Sequence, residues 1–228
     1  MGLPGRARRT GRRGGPAHRV HPGRAAVAAP LAPLNVLTRR TVTWGNVGGF
    51  VAFATETSLV FLMTLYLQKV LGFSPLATGL ALGVLGAGTF AGGVAAPRIM
   101  GRFGGRATLV SGLVLQAAAT AALLGLGDSR GALGLLLAAT AIGGFGNLVA
   151  IVAFMGIATS GLPDGEQGLA TGLATMTQQV AITLGIPVMS AVATANASVL
   201  GGVHTATAVN VAIVLAGAAL AGSFLRRS

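Results

Sequence analysis

One carboxylate stands alone inside an apolar stretch of this sequence. Glu56 lies about halfway along residues 42–67, which contain no other charged residue. Ionisable groups in such stretches tend to face the interior of a helix bundle or a watery path, where they carry protons or pair with cations. Two interpretations stay open: Glu56 takes part in proton or cation chemistry, or a protonated Glu56 only forms a hydrogen bond with a neighbouring helix.

A polar stripe runs along the apolar stretch 168–192. Its members share one helical face because they follow at intervals of three and four, apart from one adjacent pair: Thr171, Thr175, Gln178, Gln179 and Thr183. Unsatisfied amides are costly in hydrocarbon, so this face should turn toward other helices or a watery cavity. The sequence does not distinguish a cavity lining from interhelical hydrogen bonding.

Asn46 and Asn147 are further polar residues in apolar stretches. Asn147 directly follows Gly143-Gly144-Phe145-Gly146. This cluster predicts either close packing, which we favour, or a helix broken near its middle, as at transporter binding sites. Small residues also recur four apart elsewhere, and we expect these pairs to let helices approach closely: Gly79 with Gly83, Gly88 with Gly92, and Gly168 with Gly172.

The composition identifies the elements that must position these residues. The 228 residues are 53% hydrophobic and 9% charged, with a mean hydropathy of +0.77. About 20 apolar helical residues cross a bilayer core of roughly 30 Å. The sequence therefore predicts an all-α, polytopic membrane bundle over residues 41–228. Its six transmembrane helices are expected at residues 42–67, 76–96, 107–127, 132–156, 168–192 and 203–225.

The basic residues beside the spans predict the orientation. One side carries Arg39, Arg40, Arg98, Arg102, Arg106, Arg226 and Arg227. The other side carries only Lys69 and Arg130. Because Lys and Arg favour cytoplasmic loops, we expect a multi-pass protein of the plasma membrane with both termini in the cytoplasm.

Residues 1–40 form a basic stretch rich in Gly, Pro and Arg, which we expect to be a disordered cytoplasmic tail. It holds nine of the chain's 16 basic residues and contributes most of the net charge of +12. It has no aromatic residue on which bases could stack, so anionic headgroups are the expected partner rather than a specific nucleic acid.

The sequence gives little support to enzymatic chemistry. It contains no Cys, which excludes disulfides and thiolate metal sites. Two of its three His lie in the tail, and the loop acids form no convergent set of metal ligands or nucleophiles. We therefore predict a protein that is not an enzyme and needs no cofactor.

Three segments resemble the major facilitator superfamily of transporters, most closely its fourteen-helix drug:proton antiporter branch. They are YLQKVLGFSP at residues 66–75 with ATGL at 77–80, GEQGLATGL at 165–173 with the Gln pair after it, and PLAPL at 30–34. The resemblance implies the C-terminal six-helix half of such a transporter. ATGL recurs near the start of the second and fifth spans, which suggests two inverted three-helix repeats.

The loop Gly101-Arg102-Phe103-Gly104-Gly105-Arg106 is similar to a degenerate copy of the superfamily's cytoplasmic loop motif. Gly101 stands where that motif has an Asp. The resemblance implies that Arg102, Gly104 and Arg106 help to latch helices during conformational switching. The alternative is that the arginines only fix topology and contact lipid headgroups.

The resemblance implies proton-coupled efflux of small hydrophobic or cationic compounds by alternating access. The pathway residues would be Glu56, Asn46, Asn147, Thr175, Gln178 and Gln179. The partners would be the lipid bilayer, protons, a small-molecule substrate and either a separate N-terminal half or a second copy, because the motifs of the first half are missing here. The alternative is a truncated, inactive remnant or a passive membrane interaction partner.

Overall fold

The structure is a computed structural model that describes residues 40–160 and 164–224. The predicted tail therefore lies outside the described residues, apart from the backbone of Arg40. Arg39, Arg226 and Arg227 also lie outside them.

Every regular element in the described ranges is helical, which confirms the all-α prediction. The helices are α1 (Arg40–Leu65), α2 (Pro75–Ala122), α3 (Leu133–Thr159), α4 (Asp164–Thr194) and α5 (Val199–Phe224). A π-helical turn, Tyr66–Val70, follows α1, and the short 3₁₀ turns Leu123–Gly125 and Arg130–Ala132 lie between α2 and α3. All five helices are long and apolar enough to cross a membrane.

Helix α2 is interrupted at Gly104. Its 48 residues would extend about 72 Å at 1.5 Å per residue, more than twice the roughly 30 Å of a bilayer core. Gly104 has φ 79° and ψ 158°, which is not helical. Glycine adopts such a positive φ at little cost because it has no Cβ. We call residues 75–103 the first arm of α2 and residues 105–122 its second arm.

The two arms of α2 run in opposite directions beside α3. On the first arm, the residue numbers of contacting pairs increase together in α2 and α3: Gly88 meets Ala141 and Gly92 meets Phe145. On the second arm, the numbers increase in α2 while they decrease in α3: Gly105 meets Ile157 and Gly112 meets Ala150. The chain therefore reverses at Gly104, and the predicted spans 76–96 and 107–127 fall on separate arms. Six membrane crossings remain a prediction.

The glycine pairs behave differently from one another. Gly88 and Gly92 lie directly against the α3 backbone, as the spacing predicts. The expectation is wrong within this bundle for Gly79 with Gly83 and for Gly168 with Gly172. A Cβ added at any of these four positions would meet nothing within 4 Å among the described residues. Equal spacing thus gives different packing because these four positions face out of the bundle.

Helix α3 is continuous through the Gly143–Gly146 cluster. A Cβ at Gly144 would lie 2.9 Å from the Leu85 carbonyl oxygen, and one at Gly146 would lie 2.8 Å from the Gly112 carbonyl oxygen. The cluster therefore serves close packing against α2, as favoured from the sequence. Helix α4 likewise continues through Pro187.

Helix α1 lies among α3, α4 and α5 and contributes Val51 to one hydrophobic cluster and Leu62 to another. Gly49 lies against the Phe154 ring of α3, and Gly48 lies against Leu109 of the second arm. At the far end of α1, the Tyr66 hydroxyl donates to the Gly127 carbonyl at 2.6 Å. This contact fastens the end of α1 to the turn that follows α2.

A polar network at the centre and an unpaired carboxyl beside it

Amide and hydroxyl side chains from three helices meet at the middle of the bundle. Asn147 Nδ2 donates to the Ala52 carbonyl at 2.9 Å and to Gln116 Oε1 at 3.2 Å. Gln116 Nε2 donates to Thr55 Oγ1 at 3.1 Å, and Thr55 Oγ1 donates to the Val51 carbonyl at 2.6 Å. These bonds link α1, the second arm of α2 and α3.

A fourth helix joins through Asn210 of α5, whose Nδ2 donates to the Thr55 carbonyl at 2.9 Å. We call Thr55, Gln116, Asn147 and Asn210 the polar network. Each is at most 2% exposed. Interhelical hydrogen bonds in membranes contribute on the order of 0.6 kcal/mol each and up to about 2 kcal/mol. The network therefore stabilises one arrangement of four helices.

The network has unused acceptors. The Oδ1 atoms of Asn147 and Asn210 are buried and have no hydrogen-bond partner among the described residues. The hydroxyls of Thr120 and Thr207 are in the same situation. A buried polar group without a partner costs about 1–3 kcal/mol. Such acceptors are suited to a buried water or another proton donor.

Glu56 lies beside this network on α1. Gly45, Gly49, Ala52 and Glu56 follow at helical spacing and so share one face. That face meets α3, because Gly45 lies against Ile157 and the Ala52 carbonyl accepts from Asn147. Glu56 therefore lies one turn beyond Ala52, on the side of α3. It is half-buried, and the described residues offer it no hydrogen bond or ion pair.

Asn46 joins α1 to α4. Its Nδ2 donates to the Val42 carbonyl at 2.7 Å, and its Oδ1 accepts from the Thr177 hydroxyl at 2.8 Å. Ala54 of α1 also lies close to Gly185 of α4. In this contact, as in the one between Asn46 and Thr177, the α4 residue comes 131 positions after its α1 partner. Because the difference is the same at both places, α1 and α4 run parallel.

This register fixes the relative depths of the predicted pathway residues. Glu56 is level with Pro187 of α4, whereas Gln178 is level with Val47. Glu56 and the Gln pair are therefore separated by nine residues of helix, or about 13 Å along the axis. The structure places Asn46, rather than Glu56, at the depth of Gln178 and Gln179.

The polar stripe of α4 turns away from the bundle. Thr175 and Gln179 are exposed and Gln178 is half-buried, while the buried row of α4 consists of Ala170, Ala174, Ala181, Gly185 and Met189. The Thr175 hydroxyl donates to the Thr171 carbonyl of its own helix at 2.9 Å. The Gln178 and Gln179 amides form no hydrogen bond with the described residues. The stripe thus makes no interhelical bond through these amides within the bundle.

One cavity of about 180 Å³ lies between α1, α4 and α5. Its lining includes Phe50, Thr55, Ser58, Leu184, Met189 and Ile213. Sites for drug-sized molecules usually have about 300–1,000 Å³. This cavity alone is therefore too small to hold such a compound.

The loop-motif residues lie at the end of the bundle that carries Arg98, Arg102 and Arg106, which we call the arginine end. Arg106 donates from Nε at 3.1 Å and from Nη2 at 2.6 Å to the Gly222 carbonyl near the end of α5. The Arg102 guanidinium lies 5.5 Å from the centre of the Phe103 ring. Between them, Gly104 makes the reversal of α2. Arg106 thus ties α5 to the start of the second arm.

A profile of the Major Facilitator Superfamily matches residues 7–186. The chain belongs to this superfamily. Its membrane-length helices and this membership make it a multi-pass membrane protein of a transporter family. Over 164 residues the chain is also 30% identical to the "Probable actinorhodin transporter" of Streptomyces coelicolor, covering 71% of this chain and 28% of the relative. The chain thus spans less than a third of that relative's length.

For this superfamily member, the polar network is the feature that sequence reasoning missed. Thr55, Gln116 and Asn210 were not among the predicted pathway residues, although each is a polar residue inside a predicted span. Only Asn147 was singled out, and it lies fully buried in the network. The signal that could have identified the network is that several predicted spans each carry a polar residue at a similar depth in the membrane.

Proposed function

We propose that this chain forms one half of a transporter that exports small hydrophobic or cationic compounds in exchange for protons by alternating access. The observation that carries the proposal is Glu56, a half-buried carboxyl without a partner among the described residues. The family membership supports transport, and the name of the Streptomyces coelicolor relative supports a small compound as the substrate.

Glu56 has the chemistry that proton exchange requires. It is the one acid among the chain's four that lies inside an apolar span, and the polar network beside it consists of neutral amides and a hydroxyl. A bare carboxylate is costly at that depth, whereas a protonated acid or one paired with a cation is much less so. We infer that Glu56 holds a proton in one state and faces a cationic compound in another.

The faces that the bundle leaves uncovered support a partner half. Leu80 and Phe90 of the first arm are 71% and 75% exposed, and Met176 of α4 is 66% exposed. The same two elements carry the glycine pairs Gly79 with Gly83 and Gly168 with Gly172, which have space around them. Small residues four apart suit close helix packing. We infer that a separate first half or a second copy packs against these faces.

The polar stripe on α4 fits the same partner. Gln178, Gln179 and Thr175 would be poorly satisfied against lipid tails but could line a path shared with a second half. The cavity of about 180 Å³ inside this half is too small for a drug-sized compound, so the proposed substrate site is completed by that half. Asn46, at the same depth as the Gln pair, would lie at its edge.

Transport by inside-out membrane vesicles tests the proposal. Vesicles containing the full chain and the proposed partner, a separate first half or a second copy, and having an acidic interior, should accumulate ethidium and lose their proton gradient in step. Glu56→Gln should abolish both processes because the amide cannot exchange a proton. Asp128→Asn is the matched control, since Asp128 is an exposed loop acid. Unchanged coupled uptake by Glu56→Gln would remove Glu56 from the mechanism.

A second candidate is a passive membrane partner without transport of its own. The outward-facing stripe of α4 favours it, because exposed amides can bind another protein's helix as readily as they can line a path. In that case the chain would insert and co-purify with a partner, and ethidium uptake would not exceed that of empty vesicles.

A further inference from the structure

A groove opens on the outer surface of the bundle at the arginine end. It has a volume of about 520 Å³ and lies between the second arm of α2 and the end of α5. It is lined by Phe103, Arg106, Ala107, Val110, Ser111, Val114 and Gly222. Phe103 is 61% exposed and Val114 is 46% exposed. From Arg106 to Val114 the groove follows about 12 Å of helix, with a charged group at one end and apolar side chains beyond it.

Arg106 is held in position but keeps donors to spare. A guanidinium has five N–H groups, and the two bonds to the Gly222 carbonyl leave the other three free of described partners. Arg102 is exposed and lies next to Phe103, a residue of the groove lining, against whose ring its guanidinium stacks. Each guanidinium group therefore has N–H donors available for a phosphate, for which its planar N–H arrangement is well suited.

The charge of the groove is of one sign. Neither wall contains an acidic residue, since residues 105–122 and 199–224 have no Asp or Glu. Arg226 and Arg227 follow the second wall in the sequence. A zwitterionic headgroup would bring its cationic amine toward Arg102 and Arg106, whereas an anionic headgroup meets only attraction. The chemistry therefore favours a ligand with a net negative head and an apolar tail.

We propose that this groove binds one anionic phospholipid, with its phosphate on Arg106 and Arg102 and an acyl chain along Val110 and Val114. The two bonds from Arg106 to Gly222 make the site depend on α5 and α2 together. Bound lipid would thus bridge these two helices at the arginine end. The proposal does not depend on transport activity.

Fluorescence quenching by brominated lipids tests the proposal. The full chain carries one Trp, so Trp44→Phe with Val114→Trp places a single reporter in the groove. In mixed vesicles, brominated phosphatidylglycerol should quench this reporter at a lower mole fraction than brominated phosphatidylcholine. Arg106→Gln and Arg102→Gln should each reduce the preference about fivefold, as expected for one basic group near a membrane surface.

Arg98→Gln is the matched control. It removes the same charge from the same end, but Arg98 bonds the Val94 carbonyl of its own arm, whereas Arg106 lines the groove and Arg102 lies against the lining residue Phe103. Its effect should stay under twofold. Equal quenching by the two lipids, or an equal effect of Arg98→Gln, would overturn the proposal in favour of general surface charge. Displacement by inorganic phosphate alone would overturn it in favour of a simple anion site.

A second variant tests lipid binding independently of Arg106→Gln, in case that protein misfolds. Ser111 is exposed in the groove, so Ser111→Phe should fill the groove without removing a charge. Phosphatidylglycerol should then lose its advantage as a quencher of the reporter that Val114→Trp introduces. Retained selectivity in Ser111→Phe would contradict binding of a chain in the groove.

Discussion

Gln116 and Asn147 form a direct side-chain hydrogen bond of 3.2 Å in the centre of the bundle, where each is no more than 1% exposed. The bond joins the second arm of α2 to α3, and both residues also bond to α1, Gln116 through the Thr55 hydroxyl and Asn147 through the Ala52 carbonyl. It thus fixes the position of α3, the helix on whose side Glu56 lies. The stability of the bundle and the setting of its carboxyl are therefore linked.

The polar network should respond strongly to Asn147→Leu. The substitution removes two interhelical hydrogen bonds and leaves Gln116 Oε1 without its donor. We expect the free energy of unfolding in mild detergent to fall by about 1–3 kcal/mol. Thr140→Val is the control, because the buried Thr140 hydroxyl bonds only to carbonyls of its own helix. Equal losses in the two variants would show that the network has no special role.

Close packing between α2 and α3 should make Gly112→Ala destabilising. The added Cβ would lie 2.6 Å from the Gly146 carbonyl oxygen, and overpacking of this kind costs about 1–3 kcal/mol. Gly83→Ala has space around its Cβ and should be neutral or slightly stabilising, because Ala favours helix over Gly by about 1 kcal/mol. Thermal unfolding of the two variants tests the difference. Equal melting temperatures would contradict the packing described.

Replacement of Glu56 by Leu should stabilise the bundle while removing its proposed function. The carboxyl has no partner among the described residues, and a charged group at the centre of a span costs on the order of 3 kcal/mol. In mild detergent, Glu56→Leu should therefore unfold less easily than the parent chain. A less stable variant would indicate that Glu56 has a structural partner.

Tyr66→Phe should loosen the turn after α2. The hydroxyl donates to the Gly127 carbonyl at 2.6 Å, and its loss should cost about 0.5–1.5 kcal/mol. Faster amide exchange near Gly127, with no change at the arginine end, would be the specific sign of that loss. Uniformly faster exchange along the chain would instead indicate a general packing defect.

The sequence predicts the helices well because a long apolar stretch has few alternatives in a bilayer. It cannot say where α2 reverses, since Gly101, Gly104 and Gly105 all permit a break and only the fold selects Gly104. The glycine pairs show the same limit. Gly79 with Gly83 and Gly88 with Gly92 have equal spacing, but only the second pair faces α3.

The candidate site was predictable in part. Glu56 and Asn147 stand out because a polar group in an apolar helix is costly and needs a reason. Their relation to Gln116 depends on the rotation and depth of three helices, which no single helix encodes. The same applies to Gln178 and Gln179, whose stripe was expected to line a cavity or bond other helices. Their orientation away from this bundle could be recognised only from the buried row on the opposite face of α4.

The most direct test of the central hypothesis measures protons released when a hydrophobic cation binds. The purified full chain with the proposed partner, a separate first half or a second copy, would be titrated with tetraphenylphosphonium in weakly buffered detergent solution and followed with a pH indicator. We expect the parent protein to release protons in proportion to bound cation, and Glu56→Gln to bind more weakly and release none. Equal proton release by both proteins would contradict the role of Glu56 in exchange.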